Sequence, residues 1–159
     1  MKAASVVEIR KELEHLNHDS LKQLCLRLAR FKLENKELLT YLLFEAEQEE
    51  SYVQTIKLFI DNQFININTN SYFYIKKSVR KILRQLKKFS RYSNSKETEV
   101  QLLLHFCEKM GTLKPSIFKN KTLTNLYQRQ ILLTEKRLIN LHEDLQFDYN
   151  EKLNNLKHL

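Results

Sequence analysis

The sequence predicts an all-α protein of six to eight helices. Gly111 is the only glycine and Pro115 the only proline among 159 residues, whereas sandwiches, barrels and doubly wound sheets need many tight turns built from such residues. Apolar residues also recur at helical spacing along most of the chain. We expect an antiparallel helical array, either a stack of α-α hairpins or a superhelix, with an up-down helical bundle as the alternative.

The first four helices are predicted from polar capping residues that precede apolar stripes. Ser5 and Glu8 have the spacing of a capping box, and Ser20 begins a second stretch of the same kind. Asn35 is the expected cap of a third helix, and Ser51 is the expected start of a fourth. These starts fall at nearly even intervals, which favours short antiparallel hairpins placed side by side.

Short polar residues predict the loops in the middle of the chain. The run NINTN, residues 66–70, offers side chains that compete for backbone hydrogen bonds, so it favours a loop. This loop separates the fourth helix from a basic helix over residues 76–91. The next break falls at residues 93–95, where Ser95 is the expected cap of the following helix.

The strongest helix-stop signals in the chain lie at residues 111–121. Gly111 can supply the left-handed residue that often ends a helix, and Pro115 follows at a distance that fits a firm stop. Apolar residues then keep helical spacing over residues 122–157, as one long helix or as two shorter ones. We therefore expect a single all-helical domain over residues 1–159, with this break before its C-terminal helical segment.

The early part of the chain carries a resemblance based on leucine spacing. The stretch KELEHLNHDSLKQLCLRLARFKLENKELLTYLLF looks like the beginnings of uncharacterised bacterial all-helical proteins that are classed only as a domain of unknown function. The resemblance covers residues 10–44. It implies an all-helical fold and a bacterial family, and it implies no activity.

The stretch KKSVRKILRQLKKFSR, residues 76–91, carries the whole formal charge excess. Eight of its residues are Lys or Arg and none is acidic, while the rest of the chain has 19 basic and 19 acidic residues. Successive side chains on an α-helix are turned by about 100°, so the basic residues fall on one arc and the apolar residues on the opposite arc. This cationic face consists of Lys76, Lys77, Arg80, Lys81, Arg84, Lys87, Lys88 and Arg91.

Two aromatic residues lie along one border of the cationic face. Tyr74 and Tyr92 are about five turns apart on the same side of the helix. Rings beside a cationic track can stack on unpaired bases, while Lys and Arg neutralise phosphates. We therefore predict a non-catalytic binding or adaptor protein that presents its basic helix to an anionic partner such as nucleic acid. An acidic protein and an anionic membrane surface are the other partners considered.

A structural or oligomerisation protein is the first alternative. In that case the basic face is neutralised inside the fold by a compact acidic cluster formed by Glu45, Glu47, Glu49 and Glu50. The C-terminal helix would then supply the surface for pairing with another copy of the chain. Its apolar stripe consists of Leu138, Leu141, Leu145, Tyr149, Leu153 and Leu156.

A small metal-dependent helical enzyme is the last alternative. A single glycine excludes Gly-rich phosphate loops, dinucleotide fingerprints and nucleophile elbows. Glu12 and His15 have the Glu-x-x-His spacing of di-iron helical proteins, but that class uses two such pairs and two further Glu residues. Glu12, His15 and His18 are the residues such an enzyme would use. No cofactor and no metal site are predicted.

The remaining signals concern location and the two cysteines. No apolar run approaches the about 18 residues of a spanning helix, and the run AASVV near the N-terminus is shorter than the core of a secretion signal. Cys25 and Cys107 lie within apolar helical patterns and are expected to be buried, reduced thiols. A cytoplasmic protein without a membrane span is therefore expected.

Overall fold

The computed structural model describes residues 2–159, and these residues contain no β-strand. Their eight α-helices confirm the predicted all-α fold of six to eight helices. No helix in this part of the chain combines the length and the apolar character needed to cross a membrane. The helices are α1 Val6–Glu14, α2 His18–Phe31, α3 Leu33–Thr40, α4 Glu49–Ile65, α5 Tyr72–Ser93, α6 Lys96–Gly111, α7 Lys121–Leu138 and α8 Glu143–Lys157.

The chain divides into two compact units. The first ends at Phe44, and the second is Glu45–Leu159. A π-helical turn, Tyr41–Glu45, follows α3. Whether residues 1–159 fold as one domain stays a prediction, which we address below with a truncated chain.

The first unit contains α1, α2 and α3, and none of these helices has a buried side chain. Tyr41 is the one buried apolar residue among the described residues of this unit. The predicted capping box is confirmed, because the Ser5 hydroxyl accepts a hydrogen bond from the Glu8 backbone N–H while the Glu8 carboxylate accepts one from the Ser5 N–H at 2.7 Å. The Ser5 hydroxyl also donates to this carboxylate at 2.7 Å, and this bond together with the one from the Ser5 N–H lowers the pKa of Glu8.

The caps predicted for the next two helices are wrong. The side chain of Asn17 accepts a hydrogen bond from the Ser20 N–H at 2.8 Å, so α2 begins at His18 and contains Ser20 in its first turn. Asn35 lies inside α3, where its side-chain amide donates to the carbonyl of Leu28 at 2.9 Å. The residues at the N-cap positions of α2 and α3 are Asn17 and Lys32. Each lies three positions before the predicted cap, so both caps were predicted about one helical turn too late. α4 likewise begins two residues before the expected start.

α6 is the central helix of the second unit. It packs against α4, α5, α7 and α8, because it is apolar around most of its circumference and such a helix is stable only when it is buried. Within this unit the helices therefore surround one member, as in a bundle, rather than follow one another in a row. The buried side chains of α6 are Thr98, Val100, Leu102, Leu103, Leu104, Phe106, Cys107 and Met110.

The connection between α6 and α7 contains a cis peptide bond at Lys114-Pro115 and a short 3-10 turn, Ile117–Lys119. The left-handed conformation expected for Gly111 is wrong, because this residue is the last of α6 and has a negative φ. A Cβ atom on Gly111 would lie 2.9 Å from the Cδ1 methyl group of Leu159. The glycine thus allows the last residue of the chain to approach the end of α6.

The C-terminal segment forms two helices rather than one. The hydroxyl of Tyr127 in α7 donates to the carbonyl of Leu156 in α8 at 2.8 Å, and burial raises the pKa of this tyrosine. In the stripe considered for oligomerisation, none of the six side chains is exposed. Three are buried and three are half-buried. The stripe therefore packs within the chain, which leaves it little surface for a second copy.

The two cysteines differ in exposure, so the prediction that both are buried is wrong for one. Cys25 is exposed and Cys107 is fully buried, and neither forms a disulfide. Burial raises the pKa of the Cys107 thiol to about 12, and the thiolate is the reactive form.

We expect one thiol per native chain to react with a disulfide reagent at neutral pH, and two in denaturant. Cys25→Ser should remove the native reaction, whereas two rapidly reacting thiols in the native protein would contradict the fold.

Candidate nucleic-acid interface

α5 turns its apolar arc into the second unit and its cationic arc outward. The helix has 22 residues and ends where Asn94 takes a left-handed φ of 55°, a conformation that asparagine tolerates better than most residues. At 1.5 Å per residue it is about 33 Å long. Its side chains that are buried in the core are Ile75, Val79, Ile82, Leu83, Leu86 and Ser90.

The eight predicted cationic side chains lie on the outer side of α5. Six are exposed, whereas Lys76 and Lys88 are half-buried. Lys88 Nζ lies 5.0 Å from the centroid of the Phe89 ring. Within residues 2–159, no ion pair and no side-chain hydrogen bond engages seven of the eight, namely Lys76, Lys77, Arg80, Lys81, Arg84, Lys87 and Arg91.

The acidic cluster does not neutralise these seven side chains. Glu49 accepts hydrogen bonds from the hydroxyls of Ser93 and Thr98, at the point where α5 gives way to α6. Glu50 accepts a hydrogen bond from Gln54 in its own helix at 3.2 Å. No acidic group in the described chain pairs with these seven side chains. Because like charges one turn apart repel each other, their repulsion remains in the folded protein.

The two border tyrosines have different environments. Tyr74 is 47% exposed, and its ring packs edge to face against Phe73, which is also exposed, at 5.4 Å between centroids. Tyr92 is half-buried, and its ring lies 6.1 Å from that of Phe89. An open aromatic surface therefore exists at the start of α5, and it includes Phe73, which the sequence analysis did not select.

A groove between α5 and α7 runs along the other border of the cationic face. It consists of two cavities of about 700 and 550 Å³ that share Lys87 and Leu133, and we call it the α5/α7 groove. Arg129 and Lys136 of α7 line it opposite Lys87. These two cations were not predicted as site residues, although their spacing of seven residues places them on one side of a helix.

A second polar region lies between α4, α6 and α8, around a cavity of about 710 Å³. Lys57 donates to Gln101 at 3.0 Å, and burial together with nearby Lys152 lowers the pKa of Lys57. Tyr149 donates to Glu97 at 2.7 Å, and burial together with this bond raises the pKa of Tyr149. The cavity thus brings ammonium and carboxylate groups together. Lys57 and Tyr149 both use hydrogen bonds to neighbouring side chains of the cavity wall.

The candidate metal ligands Glu12, His15 and His18 are exposed on the surface of the first unit. Across residues 2–159, His, Cys, Asp and Glu form no group of three or more that could hold a metal ion. The histidine with the closest acidic partner is His105, whose Nε2 lies 2.6 Å from the carboxylate of Asp61. Lys109 approaches the same carboxylate at 3.2 Å.

Comparison with other proteins does not assign this chain to a family. No family model matches the chain, and no curated protein or solved structure matches it. The resemblance of residues 10–44 to an uncharacterised helical family therefore stays a prediction, and function is inferred from the site alone.

Proposed function

We propose that the protein is a non-catalytic binding protein whose cationic face on α5 binds the phosphate backbone of nucleic acid. The observation that carries this proposal is the set of seven Lys and Arg side chains on one helix without an ion pair in the described chain. Selection for stability alone would place glutamates among them, because opposite charges one turn apart stabilise a helix. An anionic partner relieves the repulsion that this face retains.

The shape of the charge favours nucleic acid over an acidic protein. From Lys76 to Arg91 the cations follow one side of α5 for about 22 Å. A nucleic-acid strand offers a regular line of negative charges of that kind, one phosphate about every 3.4 Å of duplex axis. An acidic protein would need an equally long row of carboxylates. The exposed pair Phe73 and Tyr74 at the start of the track adds ring surface for bases.

Charge reversal on α5 tests the proposal. The variant carries Lys77→Glu, Arg80→Glu, Lys81→Glu and Arg84→Glu, all at exposed positions. We expect its affinity for labelled oligonucleotides at low salt to fall by about 100-fold or more. The slope of log affinity against log salt should also become shallower by about 3, because each lost phosphate contact removes about 0.7 to 0.9 from that slope. Fluorescence anisotropy at several salt concentrations measures both quantities.

A matched control separates this face from net charge. Lys22→Glu, Arg27→Glu, Arg30→Glu and Lys36→Glu change the formal charge equally, at exposed positions of the first unit. We expect this control to keep most of the affinity. Equal losses in the two variants would show that only net charge matters, and wild-type affinity in the α5 variant, with helicity intact by circular dichroism, would overturn the proposal.

A further inference from the structure

The α5/α7 groove has an apolar floor and cationic rims. Its two cavities share the lining residues Lys87 and Leu133, and its lining extends from Leu83 to the C-cap residue Asn94 of α5, about 16 Å. The rims carry Lys and Arg side chains of both helices. The floor is formed by leucines, of which Leu132 is exposed and Leu133 half-buried, while the others are buried beneath them, namely Leu83, Leu86, Leu103 and Leu126.

The charge of the groove that is not in an ion pair has one sign. Its only carboxylate in the described chain is Glu99, which is held by Arg137 at 3.0 Å. Arg129 donates from its Nε to the carbonyl of Asn125 at 3.2 Å, one turn back in its own helix. The cations of the groove without an ion pair in residues 2–159 are Lys87, Arg91, Lys96, Arg129 and Lys136.

One buried polar atom in the groove wall lacks a hydrogen-bond partner. Gln130 is 6% exposed, and its Oε1 has no partner, although its amide donates to the carbonyl of Leu126 at 3.4 Å. A polar group buried without a partner is costly, so a ligand that brings a hydrogen-bond donor to Gln130 gains where a purely apolar ligand does not.

We infer that the α5/α7 groove binds single-stranded nucleic acid, with phosphates on its cationic rims and bases on its leucine floor. The inference rests on the proposed function and names the form of nucleic acid that this surface takes. The guanidinium planes of Arg129 and Arg137 provide stacking surfaces for bases, as aromatic rings do elsewhere. Amino groups on base edges are hydrogen-bond donors of the kind that the Gln130 oxygen lacks.

A duplex fits the groove less well than a single strand. Its bases are stacked and paired inside, so it reaches the rims through phosphates alone and leaves the accessible part of the floor, at Leu132 and Leu133, in water. A single strand covers the floor with its bases and thus gains apolar contact in addition to charge neutralisation. An acidic peptide neutralises the rims but lacks flat ring surfaces to place on the floor and against the two arginines. We therefore expect single strands to bind more tightly than a duplex.

Two variants test the groove independently of the α5 face. The first is Arg129→Glu with Lys136→Glu, which reverses the rim of α7. The second is Leu132→Ser, which alters the floor at a side chain that is 55% exposed and so leaves folding unaffected. The control is Lys114→Glu with Lys121→Glu, the same charge change at exposed positions outside the groove. Each protein is titrated by anisotropy with a labelled 12-mer single strand, the matching duplex and a poly-glutamate peptide.

The expected results separate the rim from the floor. The rim variant should lose about tenfold or more in single-strand affinity, with a smaller loss for duplex. Leu132→Ser should lower single-strand affinity about threefold or more without changing the salt slope, because no charge is altered. The control should match the wild type for both oligonucleotides.

Other outcomes overturn the inference in distinguishable ways. If the groove variants bind single strands as the wild type does, while charge reversal on α5 abolishes binding, the groove is not the site and the proposed function stands. Equal affinity of the wild type for single strand and duplex also overturns the inference. Poly-glutamate bound as tightly as the single strand would assign the groove to an acidic protein. If the wild type binds neither oligonucleotide at low salt, the proposed function fails together with the inference.

Discussion

Replacing Phe106 with alanine is expected to lower the free energy of unfolding by about 3 to 5 kcal/mol. The side chain is fully buried in α6, and its ring lies 5.6 Å from that of Phe64 in α4. Its removal leaves a cavity that four surrounding helices cannot close without shifting α6 itself. Small domains are stable by only about 5 to 15 kcal/mol, and a chain of this size loses about 2 to 4 °C per kcal/mol, so the melting temperature should fall by roughly 6 to 20 °C. Urea denaturation followed by circular dichroism measures the change.

A chemically identical substitution on the surface provides the control. Phe147 of α8 is 79% exposed, so Phe147→Ala should change the free energy of unfolding by no more than about 0.5 kcal/mol. The comparison isolates burial, because both variants lose the same atoms from a helix. Equal destabilisation by the two substitutions would contradict the position of α6 as the central helix of the second unit.

Signals confined to one helix were predicted well from the sequence. The stripe of α5 and the apolar character of α6 are periodic patterns, so the faces they create follow from helix geometry. Ser95 accepts a hydrogen bond from the Thr98 N–H at 3.2 Å and caps α6 as expected. Helix starts were missed where polar residues compete for the same role, as with Asn17 and Ser20. Which of them becomes the cap depends on the chain that precedes it, and spacing alone does not determine this.

Features that need two helices were not predicted. The α5/α7 groove joins Lys87 to Arg129 and Lys136, residues that lie more than 40 positions apart in the sequence. Their proximity depends on how both helices pack around α6, which no local pattern encodes. Cys25 was misjudged for a related reason. Its apolar stripe on α2 predicts burial only if other helices cover it, and in the first unit α1 and α3 leave it exposed.

Removing residues 1–46 is expected to leave a folded protein with a cooperative unfolding transition. All buried apolar side chains in the described chain except Tyr41 lie in the second unit, so the truncated chain retains that core. Its free energy of unfolding should differ from that of the full chain by about 2 kcal/mol or less, since exposed side chains contribute little. Thermal unfolding followed by circular dichroism, together with the dispersion of amide signals in an NMR spectrum, measures this.

The complementary peptide, residues 2–46, should show little helix on its own. Its helices have 9, 14 and 8 residues, and isolated helices shorter than about 12 to 15 residues are marginal in water. A single buried tyrosine does not provide the apolar burial that would offset the entropy of ordering the chain. If the truncated protein instead loses its cooperative transition, the two units depend on each other, and the single domain predicted over residues 1–159 is the correct description.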